Sequence, residues 1–176
     1  MVLNPPIYLI RGIPGAGKST FAKKLRQSIR EKCDFTASIF ETDNFFVDAT
    51  NGAYKFDSGL TELAHNWNIG EVYKNCRDYC CAPCIVANSF TTEKEIHPYR
   101  NIARYLKRRC VIIDLYTEHE SVHNVPDNII AKMKTRWQEI HADYRVYDDS
   151  EMDLVANEIA DGFRKFVEVE DGRNAR

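Results

Sequence analysis

Apolar residues follow two different patterns along this chain. Short, nearly continuous apolar runs, which are typical of strands buried on both faces of a sheet, occur at 7–11, 37–41, 83–87 and 110–115. Between these runs, apolar residues recur every three or four positions and predict amphipathic helices at about 18–32, 60–79 and 93–107. Strands that alternate with helices predict a parallel sheet with right-handed crossovers.

The predicted helices begin at residues that can cap a first turn. Thr92 and Glu95 form a capping box, and single caps are expected at Ser58, Asp127 and Ser150. The helix at 60–79 is expected to bury a face made of Leu60, Leu63, Ala64, Trp67, Val72 and Cys76. The helix after Asp127 is expected to bury Ile130, Met133 and Trp137.

The residue pattern changes after Asp143, where the chain reads Tyr-Arg-Val-Tyr-Asp-Asp. A last helix is predicted at about 151–166, followed by a frayed tail at 168–176. We therefore predict a single domain over 1–167, in which a parallel sheet of four or five strands is flanked by helices.

The composition is that of an ordinary globular protein, with 44% hydrophobic and 28% charged residues. The net charge of −2 creates no overall field that attracts nucleic acid, so such a contact would need a local patch. We find no signal-peptide pattern and no run approaching the roughly 18–20 apolar residues of a membrane span. We expect an intracellular, cytoplasmic protein without membrane contact, whose six cysteines are reduced.

The first predicted strand leads into Gly12-x-x-x-x-Gly17-Lys18-Ser19 and then directly into the first helix. This order is typical of a P-loop, whose backbone amides surround the phosphates of a nucleotide, and it predicts a three-layer α/β sandwich of the P-loop NTPase type. Lys18 is expected to reach the β- and γ-phosphates, and the Ser19 hydroxyl is expected to ligate Mg²⁺. The residues expected to hold ATP are Gly12, Pro14, Gly15, Ala16, Gly17, Lys18, Ser19 and Thr20.

Further motifs extend beyond the P-loop. They are Glu41-Thr-Asp43-Asn-Phe-Phe, Gly52-Ala-Tyr54-Lys-Phe56-Asp57, Ala64-His65-Asn-Trp67, Ala87-Asn88-Ser89-Phe90-Thr91, Pro98-Tyr99, Val122-His123-Asn-Val-Pro126 and Arg136-Trp137. In their order and spacing, over residues 7 to about 140, the chain resembles small ATP-binding proteins of the phage polynucleotide-kinase-like branch of the P-loop kinases.

The resemblance implies that Asp43 orients or deprotonates the hydroxyl that attacks ATP. The residues themselves agree, because a carboxylate at the end of a strand beside the P-loop can lie near a γ-phosphate and accept the hydroxyl proton. The alternative is an aspartate that caps a loop or ligates Mg²⁺ indirectly.

Two stretches depart from the pattern of related polynucleotide kinases. Those proteins often carry Asp where Ala87 stands here, and lid arginines where this chain has Glu118-His119-Glu-Ser. A lid arginine stabilises charge in the transition state, so its absence bears on catalysis more than on ATP binding. His119, His123 and Arg136 are the candidates to supply positive charge, and Arg136 is expected to contact the nucleotide.

Other residues allow two interpretations each. Tyr54 and Phe56 either stack on a nucleobase or pin their loop to the core, and His65 is expected to be a structural, hydrogen-bonded residue. A cysteine cluster is expected to consist of thiols rather than metal ligands, at Cys76, Cys80, Cys81 and Cys84. An arginine stripe either tracks phosphates or forms a solvated helix face, at Arg100, Arg104 and Arg108.

We predict an ATP-dependent phosphotransferase that moves the γ-phosphate of ATP to a hydroxyl acceptor, with a single-stranded nucleic-acid 5′-hydroxyl as one candidate. A kinase acting on a small metabolite or nucleotide is the second hypothesis. The third is a nucleotide-binding module or switch with little or no turnover, which the departures at Ala87 and in the lid favour.

Overall fold

The computed structural model describes residues 3–79, 81–119 and 125–174, with side chains through residue 172. Its strands are β1 (Ile7–Arg11), β2 (Ser38–Phe40), β3 (Cys84–Asn88), β4 (Cys110–Leu115) and β5 (Tyr144–Val146). Its α-helices are α1 (Lys18–Cys33), α2 (Thr61–Asp78), α3 (Glu93–Tyr105), α4 (Asp127–Thr135) and α5 (Asp149–Asn174). Two short 3₁₀ turns lie at Thr42–Phe46 and Ser58–Leu60.

The five strands form one parallel sheet in the order β2-β3-β1-β4-β5. Every residue of β1 is buried, because this strand lies in the middle of the sheet and both of its faces are covered. One face packs against α1 and α5, and the other packs against α2 and α3. The predicted α/β sandwich with a parallel sheet is confirmed, with five strands.

The sequence placed most elements correctly but several helix starts differ. The capping box at the start of α3 is present, and Glu95 Oε2 accepts a hydrogen bond from the Thr92 amide at 3.0 Å. Ser58 is not the cap of α2 that was expected. The Asp57 carboxylate accepts a hydrogen bond from the Gly59 amide at 2.8 Å, and a 3₁₀ turn starts there.

The two later caps are also displaced by one or two residues. Asp127 is the first residue of α4 rather than its cap, since Pro126 occupies the cap position. At α5 the side chain of Asp148 accepts from the Ser150 amide at 2.8 Å, so Ser150 lies inside the helix. The structure also continues α5 to Asn174, through most of the stretch predicted to be a frayed tail.

The buried face of α2 matches the predicted one only in part, at Ala64, Val72 and Cys76. Its buried residues repeat every four positions, at Ala64, Asn68, Val72 and Cys76. Three apolar residues expected to be buried are exposed instead, namely Leu60, Leu63 and Trp67. Asn68 lies in the middle of the buried face, where its Oδ1 accepts a hydrogen bond from the Tyr99 hydroxyl at 2.8 Å while its Nδ2 has no partner in the described part of the chain. A polar residue is therefore part of the buried face of this helix.

The C-terminal helix completes the core rather than lying outside it. Helix α5 packs along α1 and places a buried series against the sheet at Met152, Ala156, Ile159, Ala160 and Phe163. Two ion pairs connect these helices, Lys24–Asp153 at 2.6 Å and Lys32–Asp161 at 2.7 Å. Within the described ranges, no helix combines the length and the apolar character needed to cross a membrane.

Arg108 serves neither of the two roles considered for the arginine stripe. It is buried and caps the end of α2, where its guanidinium donates to the carbonyl oxygens of Cys76 at 2.7 Å and Tyr79 at 3.2 Å. Cys76 and Cys84 are buried free thiols, while Cys80 lies outside the described residues. In the described part of the chain, no group of three or more His, Cys, Asp or Glu side chains could hold a metal ion.

Candidate active site

The loop between β1 and α1 turns through two glycines in the left-handed conformation. Gly15 has a φ of +87° and Gly17 a φ of +68°, values that residues with a Cβ rarely adopt. Space is also restricted, because a Cβ on Gly15 would lie 2.2 Å from the carbonyl oxygen of His119. A Cβ on Gly17 would lie 2.8 Å from the Met152 methyl carbon. The loop is therefore packed closely against His119 and Met152.

Helix α1 begins without a side-chain cap. Gly17 occupies the cap position and has no side chain to accept hydrogen bonds from the amides that follow. Uncapped amides at the positive end of a helix dipole form a site for an anion. Ser19 and Thr20 are exposed on the same turn, so their hydroxyl groups are accessible to a ligand bound there.

Lys18 is folded back onto the loop. Its Nζ donates to the Ile13 carbonyl oxygen at 3.0 Å. Burial lowers the pKa of Lys18 from 10.5 to about 8, although the carboxylates of Asp43 and Glu41 oppose this shift. The ammonium group is therefore poorly solvated, and it would gain charge stabilisation from a nearby anion.

Asp43 lies in the 3₁₀ turn that follows β2. Its carboxylate is close enough to Lys18 to influence the pKa of that lysine. The turn is held by Asn88 at the end of β3, whose Oδ1 accepts a hydrogen bond from the Thr42 amide at 2.8 Å. The Tyr54 hydroxyl donates a hydrogen bond to the Asp43 carboxylate. The fold thus brings Lys18 and Asp43 to the same edge of the sheet.

The loop after Asp43 contains Tyr54 and Phe56, for which the sequence allowed either stacking on a nucleobase or packing against the core. The rings of Tyr54 and Phe56 contact the buried Phe46, with centroids 6.3 and 5.0 Å away, so they do pin the loop. Phe56 is nevertheless 58% exposed. His65 Nδ1 lies 3.5 Å from Thr42 Oγ1, in keeping with the structural role expected of it. The contact of Tyr54 with Asp43 was not predicted.

A buried ion pair lies at the end of β1, directly before the P-loop. Arg11, the last residue of β1, is fully buried and lies 3.3 Å from the carboxylate of Asp114 on β4. Its guanidinium stacks over the Trp137 ring at 4.0 Å and donates to the carbonyl oxygens of Phe90 and Gln138 at 3.0 and 2.9 Å. Burial raises the pKa of Asp114 and lowers that of Arg11, so the paired charges are costly to desolvate.

Trp137 was predicted to lie on the inner face of α4, but it lies beyond the end of that helix and packs on Arg11. Ile130 and Met133, its expected companions, are only half-buried. Neither Arg11 nor Asp114 was predicted from the sequence to support the site. A charged residue at the end of each of two apolar strands was the signal that could have found them.

The residues considered for positive charge are engaged elsewhere. Arg136 lies 3.9 Å from Glu95, at the start of α3, and its side chain is 52% exposed. His119 Nε2 lies 3.0 Å from Asp149, and Glu118 pairs with Lys134 at 2.9 Å. His123 and the rest of the stretch 120–124 lie outside the described residues.

A cavity of about 270 Å³ opens directly beside the P-loop. Its walls come from the P-loop, the end of β4 and the segment around α4, through Ile13, Leu115, Tyr116, Thr117, Glu118, Lys134 and Trp137. Thr117 fixes this wall to the P-loop, because its hydroxyl donates to the Ala16 carbonyl oxygen at 3.0 Å. The cavity provides space for a small ligand beside Ile13 of the loop.

Solved structures of other proteins share the α/β fold described above. APS kinase CysC from Mycobacterium tuberculosis, solved with AMPPNP and APS, has a TM-score of 0.61 at 16% identity, over 94% of this chain and 99% of that chain. Kti12 from Chaetomium thermophilum, solved with ADP-AlF3, has a TM-score of 0.64 at 11% identity, over 90% and 99% of the two chains. The chain has the fold of the P-loop kinases.

Human NEDD4-binding protein 2 is 26% identical over an alignment of 141 residues that covers 75% of this chain. The match spans only 8% of that relative's length, so most of the human protein has no counterpart here. No protein-family model matches the chain.

Proposed function

We propose that this protein is an ATP-dependent phosphotransferase of the phage polynucleotide-kinase-like branch. The observation that carries the proposal is the pairing of Lys18, desolvated at an uncapped helix start, with Asp43 close enough to influence its pKa. A P-loop kinase needs a cation for the phosphates and an acceptor for the hydroxyl proton at one place. In this proposal Lys18 would meet the first need and Asp43 the second.

In this proposal the triphosphate replaces Ile13 as the partner of Lys18. The amides from Gly15 to Thr20 would surround the phosphates, with Gly12, Pro14 and Ala16 shaping the loop. The cavity beside Ile13 would receive part of the bound substrates. Arg136 would need to leave Glu95, a weak pair at 3.9 Å, to contact the nucleotide.

The donors near the loop fit a magnesium ion. The Ser19 hydroxyl and the carboxylates of Asp43 and Glu41 offer oxygen atoms, which Mg²⁺ prefers, on the side where Lys18 lies. Kinases usually hold Mg²⁺ through few protein ligands together with substrate phosphates and water, so no larger cluster is required. When bound, Mg²⁺ would neutralise charge on the β- and γ-phosphates.

Asp43 would act on the acceptor rather than on ATP. Its carboxylate would accept the proton of the attacking hydroxyl, while the hydrogen bond from Tyr54 keeps the carboxylate oriented. Lys18 would stabilise the charge on the transferred phosphoryl group. Positioning and charge stabilisation would thus account for most of the rate enhancement.

A specific observation favours a small, uncharged acceptor as the second candidate. The segment 41–71, which carries Asp43, contains six acidic residues and one lysine. This charge would repel the phosphates of a nucleic-acid strand. The third candidate, binding without turnover, is favoured by the described part of the expected lid, where His119 contacts Asp149 and the acidic Glu118 pairs with Lys134, so that no arginine stands there.

A transfer assay with γ-labelled ATP and Mg²⁺ tests the proposal. We would offer a 5′-hydroxyl oligonucleotide, the same oligonucleotide with a 5′-phosphate, and a pool of hydroxyl-bearing metabolites. Label on the first alone supports the nucleic-acid acceptor, and label on a small molecule supports the second candidate. ATP binding without transfer to any acceptor would leave the third candidate and contradict the kinase proposal.

A further inference from the structure

A second cavity, of about 370 Å³, lies at the opposite edge of the sheet from the P-loop. Its walls come from the starts of β1, β4 and β5 and from the last turns of α5. The aromatic and apolar part of the wall consists of Tyr8, Val111, Tyr144, Ile159, Phe163 and Phe166. The volume is that of a small-molecule site rather than of a packing defect.

One polar group in this wall has no hydrogen-bond partner among the described residues. Tyr8 is 2% exposed, yet within the described part of the chain no residue accepts a hydrogen bond from its hydroxyl. The oxygen of this hydroxyl is not one of the fully buried polar atoms that lack a partner, so it is open to the space of the cavity. The Tyr8 hydroxyl therefore has an unused donor at the cavity wall.

The charged groups around the cavity are mainly cationic on the strand side. Lys107 and Arg109 line it at the start of β4, and Arg109 also pairs with Asp143 at 2.9 Å. Glu170 is the one acidic residue among the wall residues, and it is already engaged in an interaction. A ligand here would meet three hydrogen-bond donors, from Tyr8, Lys107 and Arg109, above a floor of aromatic rings.

We propose that this cavity binds a small molecule with an apolar ring system and one acidic group. The rings would pack on Phe163 and Phe166, and the acidic group would accept hydrogen bonds from Tyr8 and Lys107. Such a site is separate from the P-loop, so it would be occupied whether or not the protein transfers phosphate.

Gly162 allows the cavity to be closed without disturbing the fold. It lines the cavity inside α5, and a Cβ built on it would meet no atom within 4 Å. A Gly162→Leu side chain would extend into the empty space, and leucine also favours a helix over glycine. Gly70, in the middle of α2, has the same open surroundings but does not line the cavity. Gly70→Leu is therefore the matched control.

The probe is 8-anilinonaphthalene-1-sulfonate, whose fluorescence reports binding to an apolar site. We expect Gly162→Leu to weaken probe binding at least about tenfold and Gly70→Leu to leave it unchanged, with both variants retaining the wild-type melting profile or a higher one. Equal binding by Gly162→Leu and wild type, or no binding by wild type, would overturn the proposal.

The acidic group is tested separately with N-phenyl-1-naphthylamine, which lacks the sulfonate. Lys107→Gln should reduce the affinity for the sulfonate probe several-fold and leave the affinity for the neutral probe unchanged. Tyr8→Phe should show the same selectivity. If both variants affect the two probes equally, the cavity recognises only apolar surface, and the part of the proposal that concerns the acidic group is wrong.

Discussion

The perturbed pKa of Lys18 makes nucleotide binding depend on pH in a defined direction. In the free protein the half-buried Lys18 donates to the Ile13 carbonyl oxygen, and desolvation lowers its pKa to about 8. A bound triphosphate would raise this pKa, because an adjacent anion favours the charged form. Above about pH 8 the complex would then hold more protons than the free protein, so affinity must fall as the pH rises.

The size of the effect follows from the pKa itself. At about pH 9.5 only about one free molecule in 30 would carry a charged Lys18, so the affinity for MgATP should be about 30-fold weaker than at pH 7. Folding responds in the opposite direction. The unfolded lysine titrates near 10.5, so between about pH 8 and 10.5 the unfolded chain binds more protons and stability rises with pH.

Isothermal titration calorimetry at several pH values, in buffers with different ionisation enthalpies, measures both the affinity and the protons taken up. Lys18→Met should bind weakly at pH 7 and show no further loss at higher pH. Lys18→Arg keeps a charge that does not titrate, so its affinity should also be independent of pH. A flat wild-type profile, or an unchanged slope in Lys18→Met, would refute the assignment of Lys18 to the phosphates.

Three further substitutions test other parts of the account. Asp43→Asn should keep MgATP affinity within about threefold and reduce transfer by about 10²–10⁴-fold, and a variant with normal turnover would remove Asp43 from the mechanism. Arg11→Met should lower the free energy of unfolding by about 3–5 kcal/mol because it leaves Asp114 buried and unpaired, whereas Arg11→Met with Asp114→Leu should recover much of the loss in urea titrations. Gly15→Ala should destabilise the protein, because residue 15 has a φ of +87° and the new Cβ would lie 2.2 Å from a backbone oxygen. Gly70→Ala should instead stabilise it by about 0.5–1 kcal/mol. Equal melting temperatures for the two variants would contradict the loop geometry.

The regular part of the fold was predictable because one physical signal dominates it. Strands buried on both faces must be apolar throughout, and helices that cover a sheet must repeat every three or four residues. Helix α1 shows this well, since Phe21, Leu25 and Ile29 recur at helical spacing in the sequence and are all buried. Strand β5 has only three residues at the edge of the sheet, so its pattern is too short to distinguish a strand from a loop.

The parts that the sequence did not predict depend on polar residues with distant partners. The buried face of α2 includes Asn68, whose partner Tyr99 lies 31 positions away, and apolar periodicity contains no information about such a pair. Arg11 and Asp114 are separated by 103 positions and meet only because their strands are neighbours in the sheet.

The candidate site likewise combines a part that the local sequence predicts with contacts between distant residues. A local motif predicted the P-loop, since it lies within one turn between a strand and a helix. The approach of Asp43 to Lys18 depended on the order of strands, and the hydrogen bond from Tyr54 depended on the fold of an irregular loop. Contacts of this last kind follow from tertiary structure rather than from spacing along the chain.

A crystal structure with MgATP or a non-hydrolysable analogue would show directly whether Lys18 binds the phosphates. We expect the Lys18 ammonium to leave the Ile13 carbonyl oxygen, now 3.0 Å away, and to bind phosphate oxygens, with the amides that follow Gly15 directed at the same phosphates. A nucleotide bound elsewhere, with Lys18 still on Ile13, would contradict this expectation.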